Sequence, residues 1–116
     1  GKIFMPREAL EKGLVTEVTP ENKLLERAEE IAADFVDATS SLSVTLIRQM
    51  LWKMLGADHP MEAHKVDSRF IYELGRGDDA KEGVNSFLEK RPPEFPNKVS
   101  KDMPDYYPWW DEKEFN

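Results

Sequence analysis

Two histidines, a cluster of serines, 23 carboxylates and one close glycine pair are the groups in this 116-residue chain whose chemistry must be weighed first. A zinc pair on a helix needs its histidines one turn apart, at i and i+4, so that both imidazoles leave the same face. His59 and His64 are five apart with Pro60 between them. Their spacing predicts a loop histidine and a surface or partly buried helix histidine, with no metal site. Ser40, Ser41 and Ser43 lack the G-x-S-x-G surround that lifts a nucleophilic serine onto a strained turn, and capping of a helix start explains them better. Any two carboxylates could be nominated as general acid and base, yet no spacing singles out a pair. Gly75-Arg76-Gly77 lacks the third glycine and the preceding strand of a phosphate loop and reads as a helix stop. The chain has no cysteine, which excludes disulfides, thiolate metal sites and a thiol nucleophile from this segment. No catalytic residue and no metal ligand is assigned, and no self-contained active site is expected.

What must position these groups is a series of helices. Pro6 suits a first helical turn because its missing N–H has no partner there, and Arg7 to Lys12 runs into Gly13, a residue fitted to a left-handed cap. Residues 14–18, Leu-Val-Thr-Glu-Val, alternate and are β-branched enough for a short extended segment, with no second strand in the chain to pair with. Thr19 is placed to cap the next helix with Pro20 at its first position. Leu24, Leu25, Ala28, Ile31, Ala32, Phe35 and Val36 then recur at helical spacing. Asp37 to Leu42 breaks the pattern, and Ser43 is placed to cap a restart. Val44, Ile47, Met50, Leu51, Met54 and Leu55 form the third stripe, ending at Gly56. After Asp58-His59-Pro60 the spacing returns in Ala63, Val66, Phe70, Ile71 and Leu74. Asp78 and Asp79 put negative charge at the start of the last helix, and Lys90 and Arg91 put positive charge at its end, as the backbone dipole favours. Pro92 and Pro93 forbid continuation. Beyond them lies a proline-rich tail carrying Tyr106, Tyr107, Trp109 and Trp110, read as lying outside the core. Four large rings left in water would be an unusual patch, so the tail is expected either to wrap a neighbouring subunit or a missing domain, or to be disordered. The fold class is therefore all-α with one orphan extended segment at 14–18.

Bulk properties bound the partners. Hydrophobic residues at 40% and charged residues at 34% describe a chain that folds, with room for one modest core. A formal charge of −7 argues against nucleic acid as a partner, since phosphate tracking needs a basic surface. No stretch approaches the roughly 20 apolar residues of a membrane span, so no membrane partner is expected and a cytoplasmic setting fits. The start at Gly1, directly before a helical pattern, predicts a piece of something longer.

Three stretches together resemble the enoyl-CoA hydratase/isomerase, or crotonase, family. GKIFMPREALEKGLV (residues 1–15) is similar to the family's Gly-basic-x-Phe stretch leading through a helix into Gly-Leu-Val. The helix from Leu24 to Phe35 follows in order. DDAKEGVNSFLEKRPPEF (residues 78–95) is similar to the family's closing helix. The resemblance covers residues 1–96, so that 1–96 is expected to be the C-terminal helical, oligomerising region of such an enzyme and 97–116 an added tail. The N-terminal spiral domain, with its oxyanion-holding amides and paired glutamates, is absent from this chain. What the resemblance implies is hydration of a 2-enoyl-CoA by the parent, in fatty-acid or related acyl-CoA metabolism. Isomerisation, dehalogenation, decarboxylation or a non-catalytic assembly role are the alternatives. Acyl-CoA enters as substrate and no cofactor is implied. The partners are the parent's own N-terminal domain and other subunits, in a trimer or hexamer, and the segment alone is expected to be inactive. Lys90 resembles the family lysine that meets the phosphorylated adenosine end of CoA, where it acts as a point charge, although capping its own helix would equally explain it. Phe70 or Ile71 falls where the family places an apolar residue beside the adenine, although a core role also fits the helical stripe. In isolation Leu14, Val15 and Val18 are expected to seek a substitute partner, such as a second copy.

Overall fold

A computed structural model describes every residue except Lys113, Phe115 and Asn116. The chain divides into two units, Gly1–Asp34 and Phe35–Asn116. Five α-helices occur among the described residues: α1 (Pro6–Glu11), α2 (Leu24–Val36), α3 (Ser41–Lys53), α4 (Pro60–Leu74) and α5 (Asp78–Glu89). Short 3-10 turns at Glu21–Lys23 and Met54–Gly56 complete the set. No strand occurs among the described residues, so the fold is all-α.

In the first unit, α1 begins at Pro6 and carries the Glu8–Lys12 ion pair one turn apart. It ends in a Schellman turn, with the Leu14 N–H donating to the Ala9 carbonyl and the Gly13 N–H to that of Leu10. Gly13 takes φ +71, a conformation glycine adopts without the Cβ clash an L-residue would meet. Residues 14–18 carry no ladder, and Leu14, Val15 and Val18 are exposed. Capping at Thr19 is not observed. Pro20 holds ψ 145, outside the helical region, and the chain enters α2 through the Glu21–Lys23 turn. The Thr19 hydroxyl is buried without a partner instead. Arg27 fixes this entry, donating to both carboxylate oxygens of Glu17 at 3.0 Å and to Glu30 at 2.7 Å. The amphipathic pattern of α2 is real, yet none of its residues is buried. Leu24, Leu25 and Ile31 of its stripe are exposed, as are Phe35 and Val36, with which the helix runs into the second unit.

In the second unit the core consists of Leu42 and Leu46 from α3 and Phe70 from α4, with Ser86 and Asp79 of α5 also buried. The cap of α3 is Ser40, three residues before the expected Ser43: its Oγ accepts from the Ser43 N–H at 3.3 Å. Helix α4 starts at Pro60 behind His59, whose Nδ1 accepts from the Met61 N–H at 3.0 Å. At its stop a glycine is needed for space, because a Cβ on Gly75 would lie 2.6 Å from the Ile71 carbonyl oxygen.

The tail folds back onto the second unit. Tyr106 stacks on Phe70 with centroids 5.6 Å apart, and Trp109 meets the same ring edge-on at 5.2 Å. The Arg69 guanidinium lies 4.1 Å from the Tyr106 centroid and the Lys53 ammonium 4.3 Å from that of Trp110. Tyr106 and Trp109 thus complete the burial of Phe70 in their own chain, and all four rings are half-buried.

Candidate functional site

Helices α3, α4 and α5 and the Phe95 segment enclose a groove of about 580 Å³, walled by Leu46, Ile47, Met50, Phe70, Ile71 and Phe95. The walls are apolar because the inward stripes of α3 and α4 converge there, one residue in three or four along each helix. Asp67 and one hydrogen-bonded cluster around Asp79 interrupt them. Ser40 Oγ donates to Asp79 Oδ2 at 2.5 Å, and the Asn97 N–H donates to Asp79 Oδ1 at 3.0 Å. Asp79 also sits in the first turn of α5, where the helix dipole favours a carboxylate. Each oxygen of this buried carboxylate therefore has a donor, which is what makes its burial tolerable. The cluster ties the start of α3, the start of α5 and the tail together, and its carboxylate is occupied in doing so.

The residues singled out in the sequence fall in two places. Phe70 and Ile71 both border the groove, but differently. The Phe70 ring is packed against Tyr106 and Trp109 and buried, whereas Ile71 is 67% exposed. Lys90 is at the other end of α5 from Asp79, roughly 16 Å along the axis at 1.5 Å per residue, and does not line the groove. It is exposed. His59 has its Nδ1 committed to capping α4, and His64 stands exposed on the same helix.

The backbone at Lys90 is unusual. Its φ of 55 and ψ of 42 lie in the left-handed region, and it is the one non-glycine residue with positive φ among the described residues. The turn it makes is again a Schellman motif, with the Lys90 N–H donating to the Phe87 carbonyl and the Arg91 N–H to that of Ser86. The reversal brings Arg91 back to α5, where Nη1 and Nη2 donate to the two oxygens of Glu82 at 2.5 and 2.9 Å and Nε donates to Glu89 at 2.6 Å. The Glu94 N–H also donates to Glu82, at 2.7 Å. With the Arg91 guanidinium and that amide both favouring its charged form, the Glu82 carboxyl is held down at about 2, and Arg91 is raised in turn. The sequence places Arg91 only as positive charge at the end of α5 and leaves its pairing with Glu82 unassigned; nine residues apart, the two meet because Lys90 turns the chain. The available signal is Pro92-Pro93, which forbids the helix from continuing past Arg91.

The enoyl-CoA hydratase/isomerase family profile matches residues 1–98. The chain belongs to the enoyl-CoA hydratase/isomerase family. An enoyl-CoA hydratase of Alternaria alternata is 36% identical over 96 residues, covering 82% of this chain and 32% of the relative. Another from Mycobacterium tuberculosis is 35% identical over 98 residues, covering 84% and 36%. Among solved structures, a probable enoyl-CoA hydratase/isomerase from Mycobacterium abscessus superposes with a TM-score of 0.73 at 26% identity, covering 82% of this chain and 37% of that one. The chain thus spans about a third of the length of the curated relatives it matches. The family match ends at residue 98, so the tail rings that bury Phe70 lie beyond it.

Proposed function

We propose that this chain is the C-terminal helical part of a longer enoyl-CoA hydratase, which adds water in a syn sense across the double bond of a 2-enoyl-CoA in fatty-acid or related acyl-CoA metabolism. The observation that carries this reading is the family match over residues 1–98, together with relatives named as hydratases that are about three times as long. The segment supports subunit assembly and closes the CoA end of the site; the cytoplasmic parent binds acyl-CoA as its substrate and needs no separate cofactor. Assembly is supported by the apolar side chains left bare in the single chain, notably the α2 stripe and Leu51, Leu55, Phe87 and Leu88. Surfaces of that extent mark places where protein meets protein, and a trimer or hexamer with the parent's own N-terminal domain would cover them.

The chemistry belongs outside this segment. Hydration needs fixed donors for the thioester oxygen and carboxylates free to move protons. Asp79 and Glu82 are held by Ser40, Asn97, Arg91 and the Glu94 amide, which leaves them unsuited to that work. For binding, the exposed Lys90 ammonium offers a charge-assisted hydrogen bond to the phosphorylated adenosine end of CoA. Ile71 offers an open apolar wall beside the buried Phe70 for the adenine. The test is steady-state hydration of crotonyl-CoA by the full-length enzyme, its Lys90→Ala variant and the 116-residue chain alone. The reading expects turnover by the full-length enzyme, a higher KM in the variant and none by the segment. Turnover by the segment alone would overturn it.

A further inference from the structure

A lysine in the left-handed region is a residue kept where glycine would fit better, and such strain persists only when the surroundings over-determine it. At Lys90 they do so from both sides. Before it, α5 supplies the Schellman hydrogen bonds. After it, Arg91 and the Glu94 amide are both anchored on Glu82, nine and twelve residues earlier in the chain, and Arg91 Nε also donates to Glu89. We infer that Glu82 and Arg91 are a positioning pair for Lys90, a clamp that holds the turn closed and so fixes where the ammonium points. This rests on the reading of Lys90 as the phosphate-binding lysine and deepens it.

The geometry favours that role over simple surface pairing. An exposed ion pair holding only itself together contributes little. Here one carboxylate receives a two-pronged guanidinium and a backbone amide from the residues on the far side of the reversal, so opening it frees residues 91–94 together. Lys90 could then relax to a right-handed conformation, continuing α5 by a residue and turning its side chain to another face of the helix. Lys90 itself forms no salt bridge among the described residues, which leaves its ammonium available to a ligand.

The experiment is steady-state kinetics of the full-length enzyme with crotonyl-CoA and with crotonyl-dephospho-CoA, for Lys90→Ala, Glu82→Gln and the double variant. Lys90→Ala is expected to raise KM for crotonyl-CoA about ten-fold, the worth of a charge-assisted hydrogen bond. Glu82→Gln is expected to raise it about four-fold, and to add nothing further in the Lys90→Ala background or with the dephospho substrate, as coupled sites behave. Should Glu82→Gln fold poorly, Arg91→Lys keeps the charge and removes the two-pronged geometry, and the same pattern is expected of it. If Lys90→Ala raises KM while the clamp variants do not, or if their effect persists without Lys90, the clamp is overturned and the reading of Lys90 stands. If Lys90→Ala leaves KM unchanged, the reading of Lys90 falls, and the clamp with it.

Discussion

At the scale of single residues, Lys90 carries a conformational cost that its neighbours offset. The left-handed region costs an L-residue about 1–2 kcal/mol. Lys90→Gly is therefore expected to leave the chain as stable or to stabilise it by about 1 kcal/mol in urea denaturation, while weakening CoA binding in the full-length enzyme. A loss of stability would show that the lysine side chain serves the fold. Glu82 supplies a pH prediction whose sign is fixed by its depressed value. Its carboxyl falls from an ordinary 4.5 to about 2 in the folded chain, so its contribution is fully present above the ordinary value and is lost as pH falls through that window toward 2. Thermal melts between neutral pH and pH 2 are expected to show a loss below pH 4.5 that Glu82→Gln reduces. Identical acid slopes for both proteins would remove the clamp from the account of stability.

At the scale of elements, the caps separate what was legible in the sequence from what was not. Pro6, Gly13, Pro60 and Gly75 act locally, through φ, a missing N–H or the space for a Cβ, and so the bounds of α1 and α4 could be read from the chain. The start of α3 could not, because Ser40, Ser41 and Ser43 are equally able caps and the choice among them is made by Asp79, 39 residues away. Thr19 misled for a related reason: its Pro20 adopts an extended ψ, and Arg27 with Glu17 sets the entry to α2 instead. Lys90 was legible as a candidate, but the pair that fixes it was not, since Glu82 and Arg91 become neighbours only after the turn. Ser40→Ala removes both a cap and a donor to a buried carboxylate, and is expected to destabilise the chain by about 2 kcal/mol in denaturant titration. A change within 0.5 kcal/mol, the range of ordinary surface substitutions, would show that the cluster contributes little.

At the scale of the molecule, the same sequence leaves some apolar faces bare and covers others with its own tail. The apolar stripe of α2 and the outer residues Leu51, Leu55, Phe87 and Leu88 are exposed, whereas Phe70 is buried by Tyr106 and Trp109, 36 and 39 residues further on. Contacts so distant in sequence leave no periodic trace, so the tail could be read only as a cluster of rings in need of a surface. Ending the chain at Lys98 is expected to uncover Phe70 and lower stability by about 2 kcal/mol, the worth of burying one large ring. An unchanged denaturation midpoint would show the rings to be incidental.

The proposed function stands or falls with hydration of a 2-enoyl-CoA by the full-length protein. It is tested most directly by incubating the full-length protein with crotonyl-CoA in deuterated water and following the products by NMR. The expected product is 3-hydroxybutyryl-CoA carrying a single deuterium on the carbon next to the thioester, with the relative configuration of syn addition. Recovery of unhydrated crotonyl-CoA, or a product whose double bond has only moved, would contradict it.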